Sequence, residues 1–252
     1  ITSIKTNENA NVLTKPLALK NNISNSLTID MPLSQNTDFT QPYWLKEKAT
    51  VGMYVVNEQT IIGTPDVIRQ IKVTFNIVIN NTTFPFERTV IYKYNDRVKG
   101  EVYNPFDVVP DVTTSFLESV VIFNGDKTKT IGIKIKSGKD NIKGNLVLEL
   151  PKNWEVLPKS IPFEITKKGE TQTVTFQITA PNNPEEITAK SIATIDGVKF
   201  YTDQKNINYE HISKQQILSP AEAKLVKLDL KIEPKKIAYI MGAGDEVPQS
   251  LR

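Results

Sequence analysis

In the stretch Ile71-Lys72-Val73-Thr74-Phe75-Asn76-Ile77-Val78-Ile79 every odd position is apolar. An extended chain sends successive side chains to opposite faces, so these five apolar groups would share the buried face of one strand. The same period of two recurs in 130–136, 144–150 and 173–178. A helix repeats every ~3.6 residues and would scatter such a pattern around its axis. Residue types agree with the period. The chain carries 28 Ile, 21 Val and 25 Thr against 16 Leu and 10 Ala. β-branched side chains lose rotamer freedom in a helix and pack well on a pleated surface, so the expected fold class is all-β.

Turn signals divide the alternating runs into two modules. In the first, short strands are expected at 12–19 and 23–31, separated by Asn21-Asn22, with a polar loop over 34–40. Pro42 excludes a central strand at Gln41-Pro42-Tyr43-Trp44-Leu45, since proline has no N–H for the ladder. After the strand ending at Ile79, Asn80-Asn81 reads as a turn. A further strand is expected over 86–94, and alternation leaves open which side faces inward. Asp96 to Glu101 reads as a loop, and Val108-Val109-Pro110 closes the module. The second module opens near Phe116. It turns at Asn124-Gly125-Asp126, near Gly138, at Lys167-Lys168-Gly169-Glu170 and at Asp196-Gly197. A final strand is expected over 225–232. Short strands separated by turns at this spacing indicate antiparallel sandwiches. The expected organisation is two tandem antiparallel β-sandwich, immunoglobulin-like domains, 1–115 and 116–232, with a tail at 233–252.

Composition excludes several functions. There is no cysteine and one histidine, His211, so no disulfide framework, thiol nucleophile or Cys/His metal centre can be assembled from them. The 31 basic and 28 acidic side chains leave a net charge of +3, no footprint for nucleic acid. That excess falls in 116–232, with 17 basic and 14 acidic groups. Lysines on exposed strand faces serve solvation and edge protection, with an anionic-glycan or membrane surface as the alternative. No apolar run approaches the roughly 20 residues that span a bilayer, so no membrane span is expected. The chain starts at Ile1 without a signal-peptide pattern, which reads as a processed segment of a longer polypeptide.

The tail changes character. In 235–248 a charged start, a short apolar run and Gly242-Ala243-Gly244-Asp245 suggest the first strand of an α/β domain entering its first helix, with Pro248 in the opening turn. A Gly-rich turn of this kind could cradle an anion, but the motif is partial and reads as a truncated domain start rather than a nucleotide site.

The run Leu150-Pro151-Lys152-Asn153-Trp154-Glu155-Val156, then Pro158, Pro162-Phe163 and 168–176, resembles the NEW3 domain, an immunoglobulin-like module found beside carbohydrate-active catalytic domains. Residues 41–45, 96–103 and 237–252 resemble the region following the catalytic domain in large bacterial LmbE/PIG-L-type N-acetylglucosaminyl deacetylases. That resemblance implies a secreted or periplasmic parent acting on N-acetylated sugars. The family's catalytic domain uses zinc, a Pro-x-x-Asp-Asp motif and a His-x-x-His motif, and this sequence contains neither motif. Deacetylation needs a metal-bound water and a carboxylate base. The chain is therefore expected to be non-catalytic, without cofactor or metal, and to have other domains of the same polypeptide as partners.

Within that frame a few residues stand out. Tyr43 and Trp44, with Tyr103, could form an aromatic platform for a sugar ring. Alternatively Trp44 plugs a core beside Pro42, and Trp154 is expected to be a core residue between sheets. Arg97 and Glu101 could brace the loop around Gly100. His211 reads as a packing residue. Glycosidases need only two carboxylates, and Asp107 with Asp111, or Glu185 with Glu186, are available, although their spacing does not single them out. The expected function is a spacer within a carbohydrate-active protein; the alternative is a carbohydrate-binding module using Tyr43, Trp44 and Tyr103.

Overall fold

A computed structural model describes residues 1–6, 13, 15–31, 33–34, 37–65, 67–212, 214–231, 236 and 238–250. Among the described residues the regular secondary structure is almost wholly strand, as the alternation predicts. The first module contains β1 (Ser3–Thr6), β2 (Lys72–Ile79), β3 (Thr82–Thr89), β4 (Ile91–Asp96) and β5 (Gly100–Pro105). The second contains β6 (Val112–Phe116), β7 (Val120–Asn124), β8 (Thr128–Ser137), β9 (Ile142–Glu149), β10 (Glu155–Leu157), β11 (Ile161–Ile165) and β12 (Thr171–Thr179). It continues with β13 (Glu185–Ile195), β14 (Val198–Phe200), β15 (Thr202–Ile207), β16 (Gln215–Pro220) and β17 (Glu222–Leu228).

The second module is a sandwich of two sheets. One runs β10-β12-β8-β6; the other runs β11-β9-β13-β17-β7, with β14 paired to the far end of β13. The pairing within both sheets is antiparallel except that β7 lies parallel to β17. Alternation produces the core directly. Ile131, Ile133 and Ile135 of β8 and Val174, Phe176 and Ile178 of β12 face Leu146 and Leu148 of β9, Ala189 and Ala193 of β13 and Leu225 of β17. Trp154 is buried, as expected, with its ring edge-to-face on Phe123 at 5.2 Å. The sandwich takes in Val112, so its first strand lies ahead of Phe116. The turn at Asn124-Gly125 links β7 to β8 across the two sheets rather than within a hairpin.

Two predicted turns close hairpins. Asn80 and Asn81 have φ of 48° and 62° between β2 and β3, and Asp196 and Gly197 have 49° and 82° between β13 and β14. Positive φ at both central positions is what a type I′ turn requires, and its twist matches that of the flanking strands.

The first module comprises the sheet β1-β2-β3 and the separate hairpin β4-β5. Of the five apolar residues that alternation places on one face of β2 and its approach, Ile71 is buried, Val73, Phe75 and Ile77 are half-buried, and Ile79 is exposed. The strand expected over 86–94 divides at Val90, whose N–H donates to the Ile71 carbonyl, so its two halves join different sheets. No ladder forms at 15–19 or 23–31 among the described residues: Leu17 exchanges backbone hydrogen bonds with Ile1, ahead of β1, but the pairing goes no further; Val12 and Thr14 fall outside the described residues. At the other end β17 stops at Leu228, and Ile232 is outside the described residues. In the tail, Ala238 to Met241 form no strand, while a single helical turn, α1 (Val247–Ser250), carries Pro248 near its start. Ile237, Leu251 and Arg252 are outside the described residues.

Candidate functional site

Two places in the fold gather polar and aromatic side chains. The larger is a cleft of about 530 Å³ in the first module. Pro42 interrupts the extended chain, and Tyr43–Leu45 forms a 3₁₀ turn that aims Tyr43 into this cleft. Phe39, Ile61, Ile68 and Phe106 supply apolar walls; Lys46, Glu47 and Arg69 supply charge. The Tyr43 hydroxyl accepts the Gly63 N–H at 3.3 Å, and the Trp44 ring stands edge-on to it at 5.1 Å and 88°. Trp44 is half-buried and acts as a brace behind Tyr43 rather than lining the cleft.

Tyr103 does not join them. It projects from β5, with its hydroxyl donating to Glu101 at 2.5 Å and the Lys93 ammonium 5.2 Å above its ring. One ring face is thus already covered by a cation. Glu101 pairs with Lys93 at 2.7 Å, not with Arg97 as expected, because Lys93 lies directly opposite Tyr103 in the ladder and shares its face. Hydrogen bonding to Lys93, then to Tyr103, holds the Glu101 carboxyl below its usual value, and the same contacts raise the Lys93 ammonium.

The carboxylates considered for acid–base work are each engaged separately. Asp107 pairs with Arg69, and Asp111 with Lys139 at 2.6 Å. Glu185 accepts from the Trp154 Nε1 at 3.1 Å and from Asn153 at 2.6 Å. Its neighbour Glu186 pairs with Lys224. Consecutive residues of a strand point to opposite faces, so this pair cannot converge on one bond. His211 is exposed and stacks on Tyr209 at 5.8 Å. Among the described residues, no three His, Asp or Glu side chains are grouped to hold a metal.

The second place is the junction between modules, which sequence reasoning missed. The hairpin β15-β16 leaves the sandwich between β14 and β17 and reaches the first module. Gln216, 4% exposed, donates from Nε2 to the carbonyls of Thr40 and Val108 at 2.5 and 3.3 Å. Its Oε1 accepts from the Gln204 Nε2 at 2.7 Å, and the Gln204 Oε1 accepts from the Lys136 ammonium at 2.9 Å. Gln41 answers from the other side, its Oε1 accepting the Leu218 N–H at 3.2 Å. Thr40 and Val108 are themselves tied, backbone to backbone at 2.9 Å and through the Thr40 hydroxyl at 2.9 Å. Gln215-Gln216 is the only trace of this network in the sequence, and a glutamine pair has no pattern that distinguishes it from a solvated loop.

Compared with known proteins, the sequence matches no family model, and no curated protein is significantly similar to it.

Proposed function

We propose that this chain is a non-catalytic spacer, holding flanking domains of a multidomain polypeptide at a set separation and orientation. The observation that carries the reading is the Gln216 network, which fastens the chain at Thr40 and Val108 to β16. Domains joined by small wet interfaces swing relative to one another. A buried polar network whose members are mutually satisfied acts the other way, because each displacement leaves a desolvated group unpaired. Separate engagement of Asp107, Asp111, Glu185 and Glu186 agrees with a non-catalytic role. On the resemblance described above, the polypeptide is a secreted or periplasmic LmbE/PIG-L-type deacetylase, and the sandwich is its NEW3-like accessory module.

Absence of cysteine allows clean labelling. Spin labels at Lys48→Cys and Lys159→Cys should give one narrow distance distribution in the otherwise native chain, broadened by Gln216→Leu. A broad distribution in the native background overturns the spacer reading, as does hydrolysis of an acetylated or glycosidic substrate by this chain. A Pro-x-x-Asp-Asp motif encoded upstream supports the deacetylase parent, and its absence removes that part.

A second reading, carbohydrate binding, is favoured by one observation: Tyr43 lines the cleft with its ring braced by Trp44. Oligosaccharide binding should perturb Trp44 fluorescence through the ring contact and be lost in Tyr43→Ala. An unchanged emission spectrum with chitin and peptidoglycan fragments removes this reading.

A further inference from the structure

Beside the junction, between the turn that follows β8 and the hairpin β15-β16, lies a second cavity of about 290 Å³. Lys136, Lys168 and Lys214 all line it, from three separate segments of the chain, with the amides of Gln204 and Asn206 alongside. Among the described residues Asp107 is the sole carboxylate on its wall, and its charge is taken up by Arg69. The Lys136 ammonium donates, among the described residues, only to a neutral amide oxygen, that of Gln204. Among the described residues, the Lys168 and Lys214 ammoniums have neither a hydrogen bond nor an ion pair. Burial, then repulsion from Lys214 and Lys134, lowers the Lys136 pKa from its ordinary value, so the positive field is felt and not locally neutralised. Like charges gathered at a partly desolvated cavity are unfavourable by themselves, and an anion among them reverses the sign of each interaction.

We propose that this cavity binds a phosphate or sulfate group, free or carried on a sugar. Three ammoniums and the amide N–H groups of Gln204 and Asn206 offer donors to a compact oxyanion. The volume is about ten times that of one water in the liquid, which leaves room for a ring attached to the charged group. An occupant would contact Lys136 and Gln204, the outer members of the relay ending on Thr40, so binding would also tighten the junction. This inference is independent of the spacer reading, since a site can exist at a joint whether or not the joint is rigid.

The test uses the full chain titrated with sodium phosphate, sodium sulfate and glucose 6-phosphate, against sodium chloride at matched ionic strength. Calorimetry and thermal denaturation are the readouts. Phosphate or sulfate should bind saturably and raise the melting temperature beyond the chloride control. Lys168→Met/Lys214→Met should weaken binding at least tenfold and, since it removes repulsion, should not lower the melting temperature in chloride. Lys159→Met, outside the cavity, should bind normally. Tighter binding of glucose 6-phosphate than of inorganic phosphate assigns a sugar-borne group; equal or weaker binding assigns the free ion. A response matching chloride, or one equally strong in the double variant, overturns the proposal. Should the double variant fail to fold, Lys214→Met alone decides by the same tenfold criterion.

Discussion

Gln216 and Thr40 lie 176 positions apart in sequence, yet the Gln216 side-chain amide donates directly to the Thr40 carbonyl. With the Gln41–Leu218 bond beside it, which spans 177 positions, it closes one of two very long loops at the junction, and the Gln216 side chain is buried. Gln216→Leu keeps the volume but strips Thr40 of its acceptor's partner and leaves the Gln204 amide without Oε1. Stranding buried polar groups costs about 1–3 kcal/mol. Urea denaturation should show a lower midpoint for the variant with an unchanged slope.

Asp203 on β15 carries a pH dependence of predictable sign. Burial raises its carboxyl pKa above the ordinary 3.8, outweighing Lys205, the Gln204 N–H, Lys134 and Ser115, which all favour the charged form. A carboxyl raised in the folded state contributes stability in full below its unfolded value, and that contribution is lost as pH rises through the higher folded value. At neutral pH the ionised group therefore opposes folding. Asp203→Asn, whose Oδ1 can still accept from Gln204 and Ser115, should raise the melting temperature near pH 7. The advantage should shrink as pH falls toward and below 3.8. A gap that widens in acid would contradict the assignment.

Two glycines should respond to alanine for different reasons. At Gly138 a Cβ would overlap the Pro110 carbonyl oxygen, part of the rigid backbone where the modules meet. Overpacking against backbone costs about 1–3 kcal/mol. Gly125 has open space but a φ of 82°, where an L-residue pays roughly 1–2 kcal/mol. Gly125→Asn, tolerant of that conformation, should recover part of the loss, whereas Gly138→Asn should be worse than Gly138→Ala. Thermal denaturation of the four variants checks both halves.

Trp154 joins the sandwich core to a strand end. Its ring packs on Phe123, and its Nε1 donates to Glu185 at the start of β13. Trp154→Ala should cost about 3–5 kcal/mol, as for other large-to-small changes in a core. Trp154→Phe keeps most of the packing and removes the donor, for about 0.5–3 kcal/mol. Chemical denaturation should rank the three proteins in that order.

Legibility in the sequence followed the locality of the signal. Strands β8, β9 and β12 could be read because alternation records which face is buried, and β-branched residues repeat the message. The turns at Asn80-Asn81 and Asp196-Gly197 could be read because positive φ selects residue types at adjacent positions. Strand partners could not. Runs at 15–19 and 23–31 have the composition of strands and no ladder to join, while β15, written Thr-Asp-Gln-Lys-Asn-Ile, has no alternation and pairs fully with β16. The aromatic pair Tyr43-Trp44 announced itself by type, and the structure brings those rings together while setting Tyr103 apart on β5. Neither the Gln216 network nor the three lysines of the second cavity could be anticipated, because each depends on segments that meet only in three dimensions. The lysines read as surface solvation one by one.

The parallel pairing of β7 with β17 bears on how the sandwich carries load. Val120 sits beside Lys224 and Asn124 beside Leu228, so the chain comes into this pair at one end and departs at the other. A pull on the Val120 end of β7 and the Leu228 end of β17 slides one strand along its neighbour, and the five-residue register must yield together instead of unzipping bond by bond. Loaded across this pair, the sandwich should extend little before a single abrupt rupture.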